Sequence, residues 1–235
     1  MLVAMVMINS GGWQALGSLL AAAGLALVPG AAIAAAPNGT WLSQPQIWFH
    51  TTHGNLPQVM AQIRASAYRV VFLDYRKVSD PVQQEVAQEA RRQGLIPVVW
   101  VQSPQYRSMS IPELVHEARH GDGIQVDDHF FANYSLADFY RLRHLYTKPI
   151  FCSIQPFQAG LRPPSGCNQL DVQCYTNQGF QQCVKLADRL GAVVSLSEKN
   201  TLRHQPTLGS RRFNTFLWPE MNVPRPGRLS RGDQP

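Results

Sequence analysis

Two adjacent carboxylates, Asp127 and Asp128, followed by the imidazole of His129 and the ring of Phe130, stand at the end of a short apolar run, Gly123-Ile124-Gln125-Val126. Side chains alternate faces along a strand. If Ile124 and Val126 pack on one face, Gln125 and Asp127 share the other. Asp127 then sits at the C-terminal end of a strand, where parallel α/β folds keep their chemistry. Two carboxyls there can divide the roles of acid and of nucleophile or base. Both can also do no more than cap the next helix, since Asp is a favoured cap residue. Alternation turns Asp128 away from the axis that Asp127 faces. His129 could tune either acid or cap the following turn.

Other apolar runs end in the same kind of residue: His50; Asp74, Tyr75 and Arg76; Trp100 and Gln102; Ser153 and Gln155; Ser197 and Glu198; Trp218 and Glu220. Brought to one face, these make a ring of carboxylates, amides and aromatic rings. Aromatic faces stack on the apolar side of pyranose rings while carboxylates handle protons and the anomeric carbon. The expected substrate-binding residues are therefore Trp218, His129, Asp74, Tyr75, Gln102 and Glu198. The expected catalytic residues are Asp127, Asp128 and a second carboxylate, first Glu220, with Glu198 and Asp74 behind it. Trp218 precedes Pro219-Glu220 and closes a strand, which suits a platform. Trp48, Phe72 and Trp100 each read as core. His50 and His53 lack a spacing specific to a metal site, so neither a metal nor a cofactor is expected.

The elements that must position these groups alternate. Strand patterns fall at Gln46–His50, Tyr68–Asp74, Leu95–Val101, Ile124–Asp127, Lys148–Ser153, Ala192–Leu196 and Phe213–Trp218. Gly39–Leu42 adds an eighth strand or extends the first. Helical patterns run from Leu56 to Ala67, from Ser79-Asp80-Pro81 to Gln93 with Gly94 as the stop, and from Ile111 to near Gly121. Two more run from Ser135 to Tyr146 and from Gln178 to Leu190, the latter stopped by Gly191. Such alternation implies a parallel sheet with right-handed crossovers. A TIM-like (β/α) barrel of seven to eight strands, short or incomplete, is the expected fold. An open doubly wound sheet is the alternative, although no Gly-rich phosphate loop follows the first strand.

No Asp, Glu, Lys or Arg precedes Arg64. Within that stretch Ala15–Val28 is a small apolar run, followed by Pro29-Gly30 and Ala31–Ala36. Residues 1–36 read as a secretory leader cut after Ala34 or Ala36, or as an uncleaved membrane anchor; the n-region lacks the usual basic residue. The barrel domain is expected over 37–222 and a flexible basic tail over 223–235. The four cysteines, Cys152, Cys167, Cys174 and Cys183, fit disulfides in an exported protein, with Cys167 and Cys174 as the first pair across a polar loop. They lack the paired spacing of a zinc site. The formal charge is +6, but from Lys199 onward seven basic residues face Glu220 and Asp233, so the body is near neutral. Nucleic acid is not an expected partner, and a membrane is one only if the leader is uncleaved. The oligomeric state is not legible.

The run Gly123–Phe130 resembles the strand in which a Gly-Ile pair leads to an Asp pair, an aromatic or His residue, and Phe in glycoside-hydrolase-like TIM barrels, the family-10-like glycosyl hydrolases of bacteria. Thr40-Trp41-Leu42 resembles their opening strand, Arg69–Arg76 the second, and Lys148–Pro156 the strand after the Asp pair. The likeness covers roughly residues 38 to 220 as a pattern, and the Asp-pair strand is its specific part. It implies a barrel with Asp127 as the active-site carboxylate of the fourth strand and Asp128 beside it. The expected function is an exported glycosidase cleaving a polysaccharide or cell-wall glycan. A barrel that binds glycans without cleaving them is the alternative. A phosphodiester hydrolase would need more metal ligands near Asp127.

Overall fold

Eight parallel strands pair in chain order and close into a barrel: β1 (Ala36–Leu42), β2 (Val70–Leu73), β3 (Ile96–Val101), β4 (Gly123–Val126), β5 (Ile150–Ile154), β6 (Gln169–Gln173), β7 (Val193–Ser197) and β8 (Arg212–Phe216). The structure is a computed structural model, and it describes residues 36–101, 109–160, 165–176, 178–204, 207–216 and 218. The helices are α1 (Gln44–Thr52), α2 (Leu56–Ala65), α3 (Asp80–Arg92), α4 (Ile111–Glu117), α5 (Asp128–Asn133), α6 (Leu136–Leu145), α7 (Phe180–Leu190) and α8 (Glu198–His204). Among the described residues no helix is long and apolar enough to cross a membrane. The barrel is closed, so the open doubly wound sheet is set aside.

Two elements depart from the sequence reading. Gln46–His50, expected as a strand, lies inside α1. Ser43 and Gln46 form a capping box at its start and Pro45 occupies its first turn. The opening strand is instead β1, built around Gly39–Leu42 and locked between β2 and β8. The segment between Cys167 and Cys174, expected as a polar loop, contains β6. There Gln169, Asp171 and Gln173 share the inward face while Leu170 and Val172 face outward. The alternation is that of a strand with its polarity inverted.

Outward-facing aliphatics of the strands, among them Leu42, Val71, Leu73, Val99, Ile124 and Val126, pack under Ile47, Met60, Ile63, Val86, Leu114, Phe139 and Leu142 of the helices. Each such side chain removed from water contributes roughly 1.5–3 kcal/mol. Around β6, β7 and α7 the same layer continues through Val172, Val184, Ala187, Val194 and Leu196.

The interior of the barrel has two halves. On the β1–β5 side it is aromatic and apolar: Trp41 stacks on Phe72 with centroids 4.3 Å apart, and Phe72 meets Phe151 edge-on at 5.7 Å. Two glycines make room for these rings. A Cβ on Gly39 would lie 2.6 Å from Phe72, and one on Gly123 would lie 2.9 Å from Phe151. On the β5–β8 side the interior is polar and linked by hydrogen bonds. Asn38 donates to Asn214 (2.9 Å), Asn214 to Ser195 (3.2 Å), and Ser195 and Ser153 both to Asp171 Oδ2 (2.7 Å each).

The disulfides are Cys152–Cys167 and Cys174–Cys183, which corrects the expected Cys167–Cys174 pair. Cys152 of β5 and Cys174 at the end of β6 both face outward, so neighbouring outer segments reach them. The first bridge ties β5 to the segment entering β6, and the second ties the end of β6 to α7. Two disulfides fit an oxidising, extracytoplasmic compartment.

Candidate active site

At the C-terminal ends of the strands a cavity of about 190 Å³ opens. It is lined by Trp41 of β1, Trp100 of β3, Gln125 of β4 and Asp127 just after it, Asp128 and His129 of α5, Ser153 of β5 and Gln155 just after it, Gln173 of β6 and Tyr175 just after it, and Phe216 of β8. The volume is below the roughly 300–1,000 Å³ of drug-sized pockets, so one small ring fills it.

Asp127 follows β4 on the face of Gln125, as alternation requires, and is buried. It ends the strand by becoming the N-cap of α5: Oδ1 accepts from the backbone amides of His129 (3.1 Å) and Phe130 (3.2 Å). Oδ2 accepts from the indole Nε1 of Trp100 at 3.2 Å. Burial pushes its pKa up to about 6, with the Asp128 charge adding to the rise. The Phe130 amide, the Trp100 indole and His129 oppose it without cancelling it.

Asp128 does not turn away from the axis. The two-residue alternation ends with β4, and the first turn of α5 swings Asp128 into the cavity wall. Its Oδ1 accepts from Gln173 Nε2 at 2.9 Å and its Oδ2 from Gln155 Nε2 at 3.5 Å. Gln173 also donates to Ser153 (2.9 Å), which donates to Asp171. A hydrogen-bonded chain therefore runs from the mouth to the fully buried Asp171. Burial pushes the pKa of Asp171 up to about 7. Its Oδ1 has no hydrogen-bond partner among the described residues. Tyr175, above it, has its ionisation pushed up by burial first and then by Asp171, Asp128 and Asp127.

The other expected residues are dispersed. His129 lines the cavity. Asp74 is buried beside it rather than on its wall, held by the backbone amide and guanidinium of Arg76, whose carbon lies 6.0 Å from the Trp100 ring centre. Tyr75 points outward under α3 and donates to the Gln83 carbonyl at 3.0 Å. Trp218 also packs outward, edge-on to Tyr68 at 5.9 Å, with its amide on the Trp41 carbonyl at 2.8 Å. Neither lines the cavity: Tyr75 continues the outward face of Val71 and Leu73, and Trp218 lies past the end of β8, where alternation no longer governs direction. Glu198 begins α8, and its side chain lies outside the description. Gln102 and Glu220 lie outside the described residues.

The aromatic wall is instead Trp41, Trp100, Tyr175 and Phe216. Trp41 is fixed by its indole on Gln125 Oε1 (2.8 Å), and Tyr175 stacks on Phe216 at 5.4 Å. The sequence reading also missed Asp171 and Gln173. The signal that could have found them is the alternation Gln169, Asp171, Gln173, Tyr175 between Leu170, Val172 and Cys174. Among the described residues no group of three or more His, Cys, Asp or Glu side chains is arranged to hold a metal ion.

No family model and no curated protein matches the chain. Solved structures do. A monomeric dihydrodipicolinate synthase variant superposes with a TM-score of 0.52 at 7% identity over 77% of this chain and 69% of its own. A citrate synthase variant superposes at 0.51, with 13% identity over 78% and 87%. The N-acetylneuraminate lyase of Mycoplasma synoviae superposes at 0.50, with 11% identity over 78% and 69%. At these identities the likeness is one of fold, and by that measure the chain is a TIM-type (β/α) barrel.

Proposed function

We propose that the protein is an exported glycoside-hydrolase-like barrel that cleaves a polysaccharide or cell-wall glycan by carboxylate acid/base chemistry. One observation carries the reading: two adjacent carboxyls in contrasting environments share a small cavity walled by four aromatic rings. Asp127, buried and shifted to about 6, is the acid that protonates the glycosidic oxygen. Asp128, already the acceptor of two side-chain amides, is the carboxylate that acts as base or nucleophile. A buried carboxyl with a raised pKa beside a second carboxyl is an arrangement that lets one site run acid and base chemistry together. Trp41, Trp100, Tyr175 and Phe216 supply faces for the sugar ring. Glu220 is the competing second carboxylate, and a mutant decides between the two.

The experiment is an assay for new reducing ends over a panel of glycans. Asp127→Asn keeps the shape and should cut turnover at least about a thousandfold, roughly 4 kcal/mol of barrier, while glycan binding survives. Asp128→Asn should cost a comparable factor if Asp128 is the partner; if Glu220→Gln does so instead, the role passes to Glu220. Wild-type rates in Asp127→Asn would remove the catalytic assignment. A second reading, a barrel that binds glycans without cleaving them, draws on the fact that both oxygens of Asp127 already hold structural hydrogen bonds. Binding without turnover by the wild type would favour it.

Secretion or release into a periplasm belongs to the same proposal, supported by the two disulfides and the uncharged leader. Because β1 begins at Ala36, a cut after Ala34 leaves the strand whole, whereas a cut after Ala36 removes its first residue. N-terminal sequencing of the native protein should find a start near residue 35, and an intact Met1 in a cytosolic fraction would refute export.

A further inference from the structure

We infer that the substrate is a chain of several sugars, whose next residues lie in a second groove beside the cavity and stack on Phe157. This rests on the glycan reading above and extends it to the length of the substrate. The groove, about 470 Å³, runs between the turn at Pro156–Gly160 and the length of α7, from Gln182 to Arg189. Gln173 lines both the cavity and the groove. In the chain each wall follows on from a cavity residue: Gln155 precedes Pro156-Phe157, and Gln173 precedes Cys174.

Phe157 is 81% exposed, the most exposed large apolar side chain described. A single exposed ring on a protein surface is ordinary; what distinguishes this one is how it is held. Its neighbour Gln158 is buried and donates to the backbone carbonyl of Asp128 at 3.0 Å, while its Oε1 accepts from the Gln155 amide at 2.9 Å. The turn bearing the ring is therefore tied directly to the residue proposed as base. Across the groove, the Cys174–Cys183 bridge fastens the end of β6 to α7. Both walls are fixed relative to Asp127 and Asp128, so little ordering cost remains for a ligand that spans them. The groove also offers Thr176, Gln178, Gln182 and the guanidinium of Arg189, groups able to hydrogen-bond sugar hydroxyls. A cavity that takes one ring, sharing Gln173 with a larger groove that carries an aromatic face and hydrogen-bonding side chains, fits a linear oligosaccharide better than a free monosaccharide.

The test uses oligosaccharide ladders of two to six residues from β-1,4-glucan, chitin and polygalacturonate, together with aryl monoglycosides of the same sugars. KM is measured, or Kd by calorimetry where there is no turnover. For the wild type, affinity should rise with length up to about four residues. Phe157→Ala should weaken tetramers and longer chains by about five- to tenfold, the scale of one aromatic contact. It should leave kcat and the aryl monoglycosides unchanged, and Phe157→Trp should restore the long-chain affinity. If the wild type turns over or binds glycans with equal affinity at every length, or if Phe157→Ala shifts short and long substrates alike, the groove assignment is overturned and the site reading stands. If no glycan of any length is bound or cleaved, the site reading falls and this inference falls with it.

Discussion

A carboxyl that caps a helix is ordinarily held ionised by the backbone amides it accepts. Asp127 accepts two such amides and an indole N–H, yet its pKa lies near 6 because burial and the neighbouring Asp128 outweigh all three. The sign of each contribution makes a test. Trp100→Phe removes the indole donor, which favours the charged form. The pKa of Asp127 should then rise, and the limb of kcat/KM that falls as Asp127 loses its proton should move to higher pH. A limb that stays in place would show that another group titrates there. At this scale alternation along β4 located Asp127 from sequence alone. Along β2 it also keeps Tyr75 on the outward face of Val71 and Leu73. It failed for Asp128 and Trp218, because each lies beyond the last paired residue of its strand. There direction is set by a helix's first turn or by outer packing, neither of which a period-two pattern contains.

Strand β6 is where reading and structure diverge most, and the reason is physical. The usual strand signal assumes that the apolar face is the buried one. In a barrel both faces are buried, and here the inward face of β6 carries Gln169, Asp171 and Gln173 within a hydrogen-bonded interior. A polar buried face looks like a loop until its partners, Ser153 and Ser195, are known. Asp171 also gives this element a pH signature. Its pKa is about 7 in the folded state against 3.8 ordinarily, so the native state keeps a proton that the unfolded chain has lost. Stability from this group is complete below about pH 4 and declines as pH rises to 7, by on the order of 4 kcal/mol. Asp171→Asn keeps an oxygen for both serines and cannot ionise. Urea denaturation should find it close to wild type at pH 4 and more stable than wild type at pH 8. Equal pH slopes would disprove the buried-proton account. On β4, Gly123→Ala should cost about 1–3 kcal/mol by driving a methyl against Phe151. Unchanged stability would mean that the ring has room to yield.

Over the molecule as a whole, the repeated strand–helix pattern was legible and gave the barrel; the strand count was not, because one helix and one polar strand exchanged appearances. Compartment was also legible, from the cysteine count, but their pairing was not. Pairing depends on which outward positions of β5, β6 and α7 become neighbours. Both bridges lie in the second half of the chain, closing loops of 15 and 9 residues, worth about 3 and about 2–3 kcal/mol by loop entropy. Reductant should therefore lower the melting temperature by several degrees. Hydrogen exchange should loosen first around β5, β6 and α7 rather than β2 and β3. Uniform loosening would argue against this division.

The ring of strands closes where β1 meets β8, and residues hydrogen-bonded across that line, such as Thr40 and Thr215, are 175 positions apart. A chain delivered from its N-terminus at roughly 5–20 residues per second must wait about 10–35 s between making the first strand and receiving its last neighbour. Throughout that interval one side of β1 is an open hydrogen-bonding edge, the kind that recruits strands from other molecules. That side carries a proline at position 37, which cannot donate to an intruding strand, and an irregularity in the pairing between Pro37 and Gly39 that breaks a regular register. A missing donor and a broken register make that edge a poorer template for a copy of the chain than a regular strand would be.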